Sequence, residues 1–429
     1  MNFLLSAGEA SGDTYGAQLI ESLRQLAPSS TFFGMGGEKM RAFGADLLVH
    51  ANEVAVVGLV EVLTHLPGIR RRFKHLVAEA AGRKPDAAIL IDFPDFNLRL
   101  ARELHGLGIP VFYFVSPQIW AWRTGRVQQI KKYVRKMIVI FPFEQEFYRQ
   151  HGVEVSYVGH PLAYVPPPQI SREEFAAKHH LDPKKQWIAL LPGSRRKEVH
   201  LNLPTMIEAA KLLQKQSSEF ELLLPVASTL NQDWLRDQLA VFTAGWSRQV
   251  GPPEQARGLL ARGRGLRSEH LDTPALAAEG TAEDELIHLT DDARATLMHA
   301  RAAVVASGTA TVEAALSGTP FVVVYRLAPL TWLLGRRLVK LDTFAMPNLI
   351  AGKKIVPELI QKDFTAQNVA RELSAIIPDG PARQRMESDL QMVQLRLRDS
   401  QHAESPVQRA ALEILGSLKT SQNLTNTVS

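Results

Sequence analysis

The sequence predicts an α/β protein in which a doubly wound parallel sheet is built twice. Three observations carry that expectation. Short apolar runs rich in Val, Ile, Phe and Tyr recur along the 429 residues, separated by longer segments of helical pattern. The runs are continuous rather than alternating in apolar character, as in strands covered by helices on both faces. In each half the first run ends in a small-residue loop that opens a helix: Leu4-Leu5-Ser6-Ala7-Gly8-Glu9, then Leu190-Leu191-Pro192-Gly193-Ser194-Arg195. Such βα turns are where open α/β sheets bind ligands.

Taken in order, the first-half strands are expected at Phe3–Ala7, Thr31–Phe33, Ala87–Ile91, Val111–Val115, Met137–Phe141 and Val153–Val158. The second-half strands are expected at Trp187–Leu191, Phe220–Leu224, Leu286–Leu289, Ala302–Ala306 and Phe321–Tyr325. Pro166-Pro167-Pro168 is a stiff extended connector. It divides a Rossmann-like domain over 1–168 from a second over 169–363. Residues 245–283, rich in Gly, Pro and Arg, read as a long loop or insertion. C-terminal helices are expected over 364–418, and the polar stretch 419–429 as a disordered tail.

Composition removes several classes of function. Without cysteine there is no disulfide frame, no thiolate nucleophile and no Cys-based metal site. The uncharged stretch Ile109–Trp122 is shorter than the roughly 18–20 residues a bilayer helix needs. Met1-Asn2-Phe3-Leu4-Leu5 lacks the basic start of a signal peptide, so a cytoplasmic chain is expected. No Walker A loop, H-E-x-x-H, G-x-S-x-G or D-x-D occurs, and the 13 histidines lack ligand spacing. Gly34-Met35-Gly36-Gly37 begins like a dinucleotide fingerprint but carries Lys39 in place of the third glycine. No metal and no cofactor is therefore expected. The net charge of +5 is mild. Six basic residues between Arg123 and Lys136 come with no nucleic-acid module, so no nucleic-acid partner is expected either.

Four strand-end loops remain as candidate chemistry. In Gly8-Glu9-Ala10-Ser11-Gly12-Asp13, a plain turn needs the glycines and Asp13 as a cap for the next helix, but not Glu9. Asp92 follows the most hydrophobic strand of the first half, between Ile91 and Phe93. Desolvation there would raise its pKa, as a general base requires. Asp95 and Asn97 read more simply as helix caps. In the second half, Gly193, Ser194 and Arg195 offer amides and a guanidinium to a phosphate, as do Ser307, Gly308 and Thr309 at another helix start. Glu313 lies one turn further on, within reach of a sugar hydroxyl. Two such cradles suit a diphosphate. Val54–Leu66, leading into Arg70-Arg71-Arg72-Phe73-Lys74, and Leu330–Leu338 mix apolar and basic residues, as surfaces resting on anionic lipid do. An ordinary amphipathic helix with a solvated basic edge has the same pattern.

Read together, these loops resemble those of the lipid-A-disaccharide synthases. The resemblance runs in register from Ser6 to about Gln361. Its carriers are Ala7–Asp13, Val57–Leu63, Ile91–Asn97, Val115–Arg123, Val158–Leu162, Leu191–Arg195, Ser307–Glu313 and Pro347–Gly352. It implies a GT-B fold, two Rossmann-like domains facing an interdomain cleft. The implied reaction transfers 2,3-diacylglucosamine from its UDP derivative to the 6-hydroxyl of 2,3-diacylglucosamine 1-phosphate, with inversion and release of UDP. Asp92 would then be the base and Glu9 its assistant. Gly193, Ser194, Arg195, Ser307, Gly308 and Thr309 would hold the diphosphate, with Glu313 and Asn348 near the nucleotide. Gly12, Gln118, Trp120, Val57, Leu59, Leu63, Arg70, Arg71 and Arg72 would face the acceptor or lipid. The membrane surface at the inner face of the inner membrane becomes an expected partner, and a homodimer through the C-terminal helices is admitted. A UDP-sugar 2-epimerase would share the cradle but not the Ser116–Arg123 tryptophan motif. A binding protein without turnover is the remaining alternative.

Overall fold

The computed structural model describes residues 1–54, 59–122, 124–215, 220–243, 287–326, 343–399 and 403–427; within these, the side chains of 59–65, 122, 124 and 421–427 are not described. The chain forms two units: Met1–Pro166 with Pro329–Lys354 and Gln391–Ser429, and Pro167–Ala328 with Ile355–Leu390.

The first unit is built on a seven-stranded sheet. Its strands are β1 (Asn2–Ala7), β2 (Thr31–Gly36), β3 (Asp46–His50), β4 (Ala87–Ile91), β5 (Val111–Phe114), β6 (Lys136–Val139) and β7 (Val155–Tyr157). They are ordered β3-β2-β1-β4-β5-β6-β7, and every pair is parallel. Its centre shows why the apolar runs are continuous. Ala88 and Leu90 enter one core with Leu4, Phe33 and Tyr113. Ala87, Ile89 and Ile91 enter the opposite core with Phe3, Leu5 and Phe112. Successive residues point to opposite faces, and both faces are covered.

Much of that second core is closed by the end of the chain. The helix Pro406–Thr427 contributes Ala410, Ala411, Ile414 and Leu418 against Phe3, Leu5, Ile20 and Leu23. Full burial of a side chain such as Ile414 stabilises by about 1.5–3 kcal/mol. Polar contacts fix its position: Lys136 Nζ lies 2.6 Å from Glu413, Arg135 donates to the Ser417 carbonyl at 2.8 Å, and Arg409 pairs with Asp399.

The second unit carries a six-stranded sheet of β8 (Gln186–Leu191), β9 (Phe220–Pro225), β10 (Ile287–Thr290), β11 (Ala302–Ala306), β12 (Phe321–Tyr325) and β13 (Glu358–Ile360). Its order is β10-β9-β8-β11-β12-β13, again parallel throughout.

Several expectations need correction. Residues 364–418 do not form one helical appendage. The helix Ala366–Ile376 belongs to the second unit, where it buries Val369, Ala370, Leu373 and Ile376. Arg326 donates there to the Phe364 carbonyl at 2.5 Å and lies over the Phe364 ring. The helix Met346–Ala351, placed by the sequence in the second domain, groups with the first unit. Residues 419–427 are helical rather than disordered, because extending a helix already nucleated and packed costs little per residue. The edge strands β3 and β13 escaped the sequence reading: β3 opens on Asp46 and ends on His50, and β13 has only three residues and opens on Glu358. The stretches 245–283 and Leu330–Leu338 fall outside the described residues.

Candidate active site

In the first sheet the strand order reverses between β1 and β4. Ala7 pairs with Ile91, so Gly8-Glu9 and Asp92-Phe93 leave the sheet edge at one level. This switch point is where an open parallel sheet takes its ligand.

The Asp92 loop is unusual in its backbone. Asp92 and Phe93 are both left-handed, with φ of 45° and 51°, at a cost of roughly 1–3 kcal/mol each. The Asp92 carbonyl accepts Asn97 Nδ2 at 2.8 Å and the Tyr113 hydroxyl at 2.6 Å. Its amide donates to the Phe114 carbonyl at 3.3 Å. Net contributions of about 0.5–1.5 kcal/mol per hydrogen bond offset part of the strain. The Phe93 ring lies over Gly8, where an added Cβ would stand 2.3 Å from it. Only glycine fits there. So held, the Asp92 carboxyl is pushed up to about 6, first by burial and then by the negative charge of Glu9. Glu9 is exposed and precedes the helix Ala10–Leu26 without capping it through its side chain. Gly12 is buried in that helix's first turn, close to Ala7 and Ile91, and its bareness lets the helix sit on the sheet.

Two carboxylates and an amide read as caps act differently. Asp13 lies inside the helix Ala10–Leu26. Its carboxylate accepts the amides of Gly37 at 2.7 Å, Lys39 at 3.1 Å and Met40 at 3.1 Å. It thereby caps the helix Glu38–Ala42 rather than the one that follows its own loop. Asn97 is fully buried, its Oδ1 accepting Ser6 Oγ at 2.7 Å. Asp95 pairs with Arg126.

Around the tryptophan motif, Gln118 is exposed, and the Trp120 indole donates to Glu144 at 3.2 Å. The Trp120 ring meets Phe143 edge-on at 4.9 Å. Glu144 is buried, and desolvation raises it to about 8. Sequence reasoning missed it. Its carboxylate accepts the Phe141 amide at 3.3 Å at the start of the helix Pro142–Gln150, but nothing local signals its burial. Of the basic run, Arg70 and Arg71 are exposed, whereas Arg72 pairs with Glu53. Val57 and the side chains of Leu59 and Leu63 lie outside what is described.

The second sheet repeats the arrangement. Its order reverses between β8 and β11, and Leu191 pairs with Val305, bringing the loops at 192–195 and 307–309 to one edge. Gly193 has a φ of 122°. The Ser194 and Arg195 amides converge on Glu198 Oε2 at 3.0 and 3.3 Å. The exposed Arg195 guanidinium stands 3.6 Å from the same carboxylate. Asn202 and Thr229 brace the loop through the Pro192 and Ser194 carbonyls, at 2.9 and 2.5 Å. On the neighbouring loop the Ser307 amide is already committed to the Val324 carbonyl at 2.9 Å, so it is no free anion donor. Gly308 and Thr309 are exposed at the start of the helix Thr309–Ser317. Glu313 is raised by burial, with Arg294 opposing. Asn348, buried in the helix Met346–Ala351, belongs to the first unit.

The model of the lipid-A-disaccharide synthetase family matches residues 3–247 and 269–412. The chain belongs to the lipid-A-disaccharide synthase family. A lipid-A-disaccharide synthase of Koribacter versatilis is 50% identical over 416 residues, covering 97% of this chain and 98% of the relative. One of Myxococcus xanthus is 40% identical over 412 residues, covering 96% and 97%. Among solved structures, UDP-GlcNAc 2-epimerase from Neisseria meningitidis bound to UDP-GlcNAc aligns with a TM-score of 0.59 at 12% identity, covering 98% of this chain and 100% of that one. The glycotransferase of kitacinnamycin aligns at 0.58 and 14% identity, covering 97% and 98%. At such identities the likeness is one of fold, and the two parallel-sheet units are those of a GT-B protein. Membership of the family makes this chain a glycosyltransferase of lipid A biosynthesis. The family's reaction joins 2,3-diacylglucosamine from its UDP derivative to the 6-hydroxyl of 2,3-diacylglucosamine 1-phosphate, with inversion at the anomeric carbon and release of UDP.

Proposed function

We propose that Asp92 is the general base of this transfer. It accepts the proton of the acceptor 6-hydroxyl as that oxygen attacks the anomeric carbon and the bond to the UDP diphosphate breaks. The observation that carries this reading is a carboxylate at the β1/β4 switch point whose pKa is raised to about 6, close to the range in which a base works at neutral pH. Glu9, whose charge acts on Asp92, assists by keeping that carboxyl basic. The UDP diphosphate is held by Gly193, Ser194 and Arg195, joined by Gly308 and Thr309 and by the Ser307 side chain. Glu313 and Asn348 serve the nucleotide. Gly12, Gln118 and Trp120 line the acceptor side.

Both substrates carry acyl chains, so the enzyme works as a peripheral protein at the cytoplasmic face of the inner membrane. Arg70 and Arg71, exposed on the helix Leu59–Arg83, supply charge toward anionic lipid. Among the described residues no helix is long and apolar enough to cross a membrane. Self-association through the C-terminal helices has support in the exposed Met392, Leu395 and Leu412, and sedimentation velocity tests it. For the base, the test is incubation of parent and Asp92→Asn with both substrates. The variant should bind UDP normally yet form no disaccharide; an active variant removes Asp92 from the role.

A further inference from the structure

Tyr113 presents an anomaly in the first core. It is fully buried among Leu4, Leu90 and Tyr148, where phenylalanine would fill the same space without a polar atom to satisfy. Its hydroxyl spans from β5 to a single acceptor, the Asp92 carbonyl, at 2.6 Å. That carbonyl belongs to the first of two consecutive left-handed residues; the Asp92 amide is held by the Phe114 backbone carbonyl, whereas the Asp92 carbonyl is held by side chains. Asn97 Nδ2 reaches the same oxygen from the other side, but also lies within bonding distance of the Ser6 and Ile91 carbonyls. The Tyr113 hydroxyl makes the shorter of the two side-chain hydrogen bonds to this carbonyl and is given wholly to it.

We propose that Tyr113 is a positioning residue for the transfer reaction: its hydroxyl locks the left-handed Asp92 turn and so sets the aim of the Asp92 carboxylate. The proposal rests on the reading of Asp92 as the base. Without the clamp the peptide relaxes toward ordinary backbone angles, and the carboxylate swings toward water. Two effects follow, a lost alignment and a lost desolvation. The charged group that bears on Asp92 is Glu9 from the loop after β1, while Glu144 from the helix Pro142–Gln150 is itself pushed up by burial and, to a lesser degree, by Asp92. Neither is touched when the Tyr113 hydroxyl is removed.

The experiment compares Tyr113→Phe with the parent, with Asp92→Asn and with Tyr148→Phe. Tyr148 is the control because its hydroxyl lies in the same core but bonds Ser116 at 2.9 Å. Tyr113→Phe should lower kcat at least ~10-fold, as expected for a small misplacement of a catalytic group, while the UDP Kd stays parental. Its acid limb in the pH–rate profile should move below that of the parent, since a better hydrated carboxyl titrates lower. Tyr148→Phe should leave the limb in place. A Tyr113→Phe enzyme with parental kcat and acid limb overturns the proposal. So does an equal shift in Tyr148→Phe, or a Tyr113→Phe chain that fails to fold, since each reduces the hydroxyl to a core contact. If Asp92→Asn keeps turnover, the base assignment itself fails. If it is dead while Tyr113→Phe is parental, only the positioning role does.

Discussion

Glu198 accepts the backbone amide of Ser194 at 3.0 Å, so the loop suited to an incoming diphosphate is already closed on an anion of the protein's own. A Cβ at Gly193 would lie 2.4 Å from that carboxylate, which shows how closely the loop is fitted around it. Glu198→Gln preserves the capping geometry but removes the charge that competes for these amides. UDP should bind it several-fold more tightly by calorimetry. Weaker binding would mean that the carboxylate orders the loop rather than competing for it.

Arg195 stands exposed beside the same carboxylate, so its removal should cost little stability. A charged hydrogen bond to phosphate is worth about 1.5–3 kcal/mol. Arg195→Ala should therefore weaken UDP binding by roughly 10- to 100-fold with an unchanged melting temperature. Parental affinity in the variant would remove Arg195 from the diphosphate site.

Asp92, the proposed base, also bears on stability. Its folded pKa of about 6 exceeds the ordinary 3.8, so the folded state binds the proton more tightly, and this contribution is lost as pH rises from 3.8 through 6. Asp92→Asn escapes that loss. It should be more stable than the parent at pH 8 by up to roughly 3 kcal/mol and no more stable near pH 3. The parent's rate should fall as pH drops through about 6. Denaturant midpoints at the two pH values check the first expectation; equal midpoint differences at both would contradict it.

His160 works in the opposite sense. It is buried against Phe141 with ring centroids 5.0 Å apart, and its Nδ1 accepts the Leu162 amide at 3.2 Å. Desolvation lowers it from 6.5 to about 3, so stability is lost as pH falls from 6.5 through 3. His160→Gln should flatten acid unfolding across that window. An acid limb as steep as the parent's would show that His160 does not set it.

At the membrane, each basic residue near an anionic surface contributes about 1 kcal/mol. Arg70→Gln with Arg71→Gln should weaken binding to phosphatidylglycerol-containing vesicles by on the order of 30-fold. Arg72→Gln should do less, because Glu53 already engages that guanidinium. Equal losses from all three would point to general charge rather than placement.

The sequence exposed the sheet centres well. Ala87–Ile91 and Ala302–Ala306 are apolar end to end, and they are strands over those same residues. Glu9 stood out because a plain turn does not need its carboxylate, and Asp92 because it ends the most hydrophobic strand of the first half, between Ile91 and Phe93. What stayed hidden depends on distance along the chain. The role of Asp13 requires knowing that the Gly37–Met40 amides fold back onto it. That of Tyr113 requires the pairing of β4 with β5. The Ser307 amide looks free in sequence and is consumed by β12 in the fold. Local patterns report what a residue is suited to, and tertiary pairing decides whether its groups are available.

The helix Pro406–Thr427 has a temporal consequence. Phe3, Leu5, Ile20 and Leu23 precede the side chains that pack on them, Ala410 to Leu418, by close to four hundred residues, so they leave the ribosome long before these partners exist. The first sheet and the helix Ala10–Leu26 therefore wait on the ribosome with part of this core uncovered while some four hundred residues of intervening chain are made. Contacts of such sequence separation form late, and exposed apolar surface in the interval invites aggregation. Nascent chains stalled before residue 406 should accordingly be captured by holdase chaperones through their amino-terminal half, although that half was finished long before.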